Sequence, residues 1–250
     1  MAAPVVPQIF SPDRLRMRTE RAAHSGVHRA EPASWFVDAM VEDVVERIGF
    51  MRIEPDRALL HGPGADVLAA VLPKDCHVVQ EPCPDLDSVL TPDAFDLIVS
   101  LAQLDTVNDL PGLLLRMRLS LSHGGILMAV IPGAGSLPKL RRAMIAADGD
   151  RAFPRIHPQI DNRAATMLLE RAGFARQVVD SFGLDVRYLS FTRLVQDLRD
   201  QALGSALANP APALGKTAHA RARAAFDALA DEDGRVSEHF ALLALTGWNS

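Results

Sequence analysis

Two glycines one residue apart, Gly62 and Gly64, follow directly on the short apolar run Arg57 to His61. Glycine has no Cβ, so a turn of this kind lets the backbone approach a cofactor closely. It also leaves the amides of a following helix free to bond to that group. Pro63 between them removes one backbone donor. A lone G-x-G is a weak signal, and a plain strand-to-helix turn explains it equally well. Glu81 stands at the end of a second apolar run, His77 to Gln80. An ionised carboxylate there can accept two charge-assisted hydrogen bonds; a surface glutamate beside Pro82 is the competing reading. Asp105, Asn108 and Asp109 follow a third apolar run, Phe95 to Leu101. Asn108 and Asp109 read equally well as the N-cap of the next helix.

Other reactive residue types carry less. His24 and His28 are four apart, as metal-ligating histidines can be, but no glutamate pattern accompanies them and an exposed basic helix fits better. No metal site is expected. Ser136 lacks the surroundings of a nucleophile and reads as a helix cap. His157 precedes Pro158 and reads on its own as a loop histidine. Cys76 and Cys83 match neither a redox pair nor half of a zinc site and read as unpaired thiols.

These residues need elements to hold them. Trp35, Phe36, Ala39, Met40, Val44 and Ile48 recur at helical spacing, which predicts a helix capped by Ser34 and ended by Gly49. Strands are expected at Arg57–His61, His77–Gln80, Phe95–Leu101 and Ile126–Ile131, with Gly124-Gly125 as a turn before the last. Helices are expected between them and over Leu137–Ala147, Ala164–Ala172, Phe191–Leu203 and Ala218–Ala230. Later strands are expected at Phe174–Asp180, Leu184–Tyr188 and His239–Trp248. Strands alternating with helices imply right-handed crossovers and a doubly wound, mostly parallel sheet with helices on both faces. In such a sheet ligands bind beyond the carboxyl ends of the strands. The loops after His61, Gln80 and Leu101 are therefore the candidate site, with Ala102 opening the third.

Composition narrows the rest. The 250 residues, 48% hydrophobic, suit one α/β domain over residues 35–250 behind a basic arm over 1–34. A net charge of -5 and 5% aromatics argue against a nucleic-acid binder, despite the Arg-rich stretch Arg14 to Arg29. No apolar run reaches the roughly 20 residues a membrane span needs. No secretory signal is visible. A cytoplasmic protein, not an integral membrane one, is the expectation.

Several phrases point further: IFSPDRLRMRTERAA (Ile9 to Ala23), VNDLPGLL (Val107 to Leu114), HGGILMAVIPGAGSLPKLRRA (His123 to Ala143), RIHPQIDNRAATMLLERAGF (Arg155 to Phe174), VRYLSFTRLVQDLR (Val186 to Arg199) and DGRVSEHFALLALTGW (Asp233 to Trp248). In this order they resemble the methyltransferase-like assembly factors of respiratory complex I and their proteobacterial relatives. Those are kin to the biotin-pathway carrier-protein methyltransferases. The resemblance implies the class I S-adenosylmethionine (SAM) methyltransferase fold, SAM as cofactor, and a protein substrate or partner such as a complex I subunit. The mitochondrial members are held to hydroxylate an arginine rather than to methylate, so two reaction classes share the fold.

The resemblance also implies roles. His61, Gly62, Pro63 and Gly64 would form the cofactor turn, Glu81 would take the ribose hydroxyls, and Leu101 and Ala102 would flank the cofactor. Asp105, Asn108 and His157 would lie on the substrate side. The departures are as informative. The acid that precedes the glycines in the family is replaced by Leu60 or His61. The family spends about two dozen more residues after Glu81, on a helix, a strand and an acid facing adenine, for which Pro82 to Ala94 leaves no room. The sheet edge is expected to be cut back there, with Asp85 or Asp87 as weak substitutes for the acid. A His-Trp pair in the family stands here as Asp105-Thr106, which cannot stack on a ring. Two readings follow: a SAM-dependent enzyme with an eroded site, or a silent scaffold that no longer binds SAM.

Overall fold

The short apolar runs become strands because each is flanked by polar breaks, and the central ones, β1 and β3, are buried along most of their length. The computed structural model describes residues 6–28, 33–81 and 89–250. β1 (Arg57–His61) lies between β2 (His77–Glu81) and β3 (Phe95–Leu101), parallel to both. β4 (Leu121–Pro132) runs parallel beside β3. β6 (Val236–Trp248) returns antiparallel beside β4, and β5 (Arg176–Tyr188) is outermost. The order is β2-β1-β3-β4-β6-β5, the mostly parallel sheet expected. β2 is an edge strand, joined to β3 through residues 82–94 alone; of these, 82–88, with Cys83, Asp85 and Asp87, lie outside the described residues.

The chain divides into two units. The sheet unit holds Trp35–Ala134, Ile160–Phe182 and Leu242–Ser250. Its central strands are apolar on both faces, as a covered parallel sheet requires. Leu59, Ile98, Leu127 and Ala129 pack with Leu113, Leu114 and Met117 of α4 (Leu110–Ser120) and Leu169 of α6 (Asn162–Ala172). α2 (Trp35–Met51) buries Phe36, Met40, Val44 and Ile48 and packs on α3 (Ala65–Val71) and β3. Each such side chain contributes about 1.5–3 kcal/mol by leaving water.

The helical unit holds Met1–Ser34, Gly135–Gln159 and Gly183–Ala241. α1 (Pro12–His28) packs on α7 (Phe191–Asp200), beside a small cluster of Phe10, Leu15, Ala206 and Leu207. Arg18 donates to the carbonyl of Gly204 at 3.1 Å. α5 (Pro138–Asp148) pairs with α8 (Lys216–Asp227).

Four local expectations need correction. Gly49 does not end α2. The helix runs to Met51, and Arg52 takes the left-handed cap at φ 53 while Ile53 N–H bonds to Ile48 O at 3.0 Å. Gly124-Gly125 is not a turn before β4 but a bulge inside it, where pairing jumps from Phe95–Leu121 to Leu97–Ile126. The two strands expected between Phe174 and Tyr188 are one continuous β5. Ser136 does not cap α5. Its hydroxyl bonds to both the carbonyl and the amide of Ala241 at 2.9 Å, and Leu137 occupies the cap position at φ 62.

Candidate cofactor site

Three parallel strands of the sheet unit end at one edge, so their loops leave side by side. The register sets His61, last in β1, between Glu81 of β2 and Ser100 of β3. His61 Nδ1 lies 2.9 Å from Ser100 Oγ, and both residues are buried. Leu60, the other candidate for the missing acid, is wholly buried. Neither position brings a carboxylate to the strand end. Glu81 is half-buried, and its carbonyl accepts the Gly62 amide at 3.2 Å.

The turn itself depends on its glycines. Gly62 has φ 101, and a Cβ there would strike the Leu101 carbonyl oxygen and come within 2.9 Å of Gln103 Cγ. Gly64 has φ 80 at the start of α3, and a Cβ there would meet Val41 Cγ2 at 2.5 Å. Positive φ and lack of space together exclude a side chain. Pro63 sits half-buried between them. Leu101 is buried, and Ala102 takes φ 52 with its amide bonded to Val130 O at 2.9 Å.

Asp105 lies half-buried in a one-turn 3-10 helix over Leu104–Thr106. Thr106 is buried and its hydroxyl donates to Gln103 O at 3.2 Å. Asn108 is half-buried, and Asp109 caps α4 by accepting the Gly112 amide at 3.0 Å. Thus Asp105 and Asn108 follow the same β3 edge as Leu101 and Ala102. His157 belongs to the helical unit, where its Nε2 accepts the Ala206 amide at 2.8 Å and its ring meets Phe10 edge-on.

Sequence reading missed two groups. Ser100 carried one signal only, a hydroxyl inside an apolar strand. Glu238 in the helical unit is wholly buried and accepts the amides of Lys139 at 3.1 Å and Leu140 at 2.7 Å, so it does the capping expected of Ser136. Burial pushes its carboxyl above the usual range against the pull of these bonds. Burial, with Asp197 and Glu238 nearby, likewise raises the phenol of buried Tyr188. Among the described residues no group of three metal-ligating side chains occurs, and no helix is long and apolar enough to cross a membrane.

The fold is that of the Rossmann-like class I SAM methyltransferases. A phosphoethanolamine N-methyltransferase 2 of Haemonchus contortus, solved with S-adenosylhomocysteine, shares this fold at a TM-score of 0.52 and 14% identity, over 98% of this chain and 61% of that one. In sequence, the chain is similar to the arginine-hydroxylase NDUFAF5, mitochondrial, of Mus musculus, 29% identical over 158 residues, 62% of this chain and 46% of that protein. It is also similar to a malonyl-[acyl-carrier protein] O-methyltransferase of Halorhodospira halophila, 30% identical over 171 residues, 66% of this chain and 56% of that protein. The chain thus spans about half the length of these curated relatives. No protein-family model matches it.

The fold implies SAM, and among the described residues the end of β1 carries no carboxylate. The Cβ-free sides of Gly62 and Gly64 are filled by the chain's own Leu101, Gln103 and Val41. The β1 end offers a buried leucine and a histidine turned to Ser100 in place of an acid. Glu81 brings a half-buried carboxylate residue to the end of β2, beside His61.

Proposed function

We propose that this chain is a methyltransferase-fold protein with an eroded cofactor site, serving the assembly of a respiratory-chain protein as a scaffold rather than by methyl transfer. The observation that carries this reading is the end of β1, where the resemblance implies a carboxylate: Leu60 is buried there and His61 closes onto Ser100. The packing of both turn glycines by the chain's own atoms supports it. So does Asp105-Thr106, which offers no ring to stack on a cofactor or substrate. Similarity to an arginine-hydroxylase and to an O-methyltransferase supports a protein or carrier-protein partner without choosing a reaction. We place its work in the bacterial cytoplasm, on a protein and not on nucleic acid.

A second reading has its own support. Glu81 lies opposite His61 at the strand edge, where a carboxylate binds a ribose, so a SAM-dependent enzyme acting on the same partner is the alternative. Complementation separates the two. A strain lacking this chain is given the wild type or the Glu81→Ala variant, and assembled complex I is measured. Equal rescue supports the scaffold; rescue by the wild type alone supports the enzyme.

A further inference from the structure

Phe50 is the most exposed large apolar side chain among the described residues, at 90%. It stands near the end of α2, where Asp43, Glu46, Arg47 and Phe50 form one stripe at i, i+3, i+4 and i+7. That stripe forms one wall of an open groove of about 540 Å³ in the sheet unit. Val178 and Asp180 of β5, two apart and so on one strand face, form the opposite wall with Thr246 and Trp248 of β6. Val178 is 43% exposed. The volume is within the usual range for a ligand or side-chain site, roughly 300–1,000 Å³.

The charges decide what fits. Arg47 donates from Nε and NH2 to both Asp43 oxygens at 2.8 and 3.0 Å, and from NH1 to Asp180 at 2.8 Å. One cation is shared between two carboxylates and has no charge left for an anion. Glu46 is exposed and forms no ion pair among the described residues. Arg176 lies 5.0 Å from the centre of the Trp248 ring. Even with it counted, acids outnumber cations around the groove. Sheet and helix thus present an apolar floor under a negative rim, with an uncovered aromatic at its mouth.

From this the geometry points to a docking site for a cationic, amphipathic segment of a partner protein. An apolar side chain of that segment seats against Phe50 and Val178, and a lysine or arginine pairs with Glu46. A cation over the Phe50 ring repeats the contact Arg176 already makes with Trp248. The site lies apart from the β1–β3 loops and does not depend on whether SAM binds.

The test uses a fluorescein-labelled amphipathic helical peptide of leucine and lysine, about 15 residues long, with a leucine and glutamate peptide as its counterpart. Anisotropy is followed with the full chain. We expect the lysine peptide to bind and the glutamate peptide not to. Glu46→Lys and Phe50→Ser should each weaken binding about tenfold. Glu232→Lys, in the helical unit, should leave it unchanged, and all three variants should keep the wild-type unfolding midpoint. Equal binding of both peptides, no binding, or equal weakening by Glu232→Lys overturns the proposal. Self-association that Phe50→Ser abolishes, seen by sedimentation, overturns it too, since the groove would then hold a second copy.

Discussion

The imidazole Nδ1 of His61 lies 2.9 Å from the hydroxyl of Ser100, and both residues are buried. The contact joins the ends of two neighbouring parallel strands at the edge where this fold places its ligands. It spends the one titratable side chain of the β1 end on the protein itself. Ser100→Ala removes this partner from a buried polar group. We expect a loss of about 1–3 kcal/mol in urea unfolding. An unchanged midpoint would mean that the contact holds nothing.

The turn glycines make a sharper comparison. Gly62 and Gly124 both have positive φ, at 101 and 79. A Cβ on Gly62 strikes the Leu101 carbonyl, whereas nothing lies within 4 Å of one on Gly124. Gly124→Ala should cost about 1 kcal/mol, from backbone strain alone. Gly62→Ala should cost clearly more, about 2–4 kcal/mol, because a rigid backbone atom must also move. Equal losses by thermal unfolding would show that strain, not space, fixes Gly62.

Two carboxyls of the helical unit should titrate with opposite effect. Asp148 is held below the usual range by hydrogen bonds from Arg155, whose NH2 lies 2.6 Å away. A depressed carboxyl stabilises the fold above its unfolded pKa and loses that effect as pH falls through the folded value. Asp148→Asn should therefore be less stable than wild type at pH 7, by about 1.5–3 kcal/mol. The gap should close in acid. Glu238 is raised, chiefly by burial. Its contribution is present below the ordinary glutamate pKa and is lost as pH rises through the raised value. Wild type should accordingly lose ground to Glu238→Gln over that rise. Parallel curves for either pair of proteins would contradict the assignment.

Much of this was legible in the sequence, for physical reasons. Phe95 to Leu101 is apolar at nearly every position, the mark of a strand covered on both faces, and it is a central strand. Asp109 announced its cap by type and position, and it caps α4. Where the chain broke local rules the reading failed. Arg52 takes a left-handed cap that Gly49 was expected to supply. Glu238 caps α5 from far along the chain, where Ser136 was the local candidate. The site was only half legible. Spacing gave the glycine turn and set Glu81 at the end of β2, but a contact such as His61 to Ser100 exists only once the register is set. The groove beside Phe50 was invisible for the same reason, since its walls come from three separated elements.

Calorimetric titration of the whole chain with S-adenosylmethionine bears most directly on the eroded site. No saturable heat is expected even at millimolar ligand, because the β1 end offers no carboxylate and the turn is packed by the chain's own backbone and side-chain atoms. Saturable binding of micromolar strength, about -8 kcal/mol, abolished by Glu81→Ala, would contradict the scaffold reading and make this chain a SAM-binding enzyme candidate.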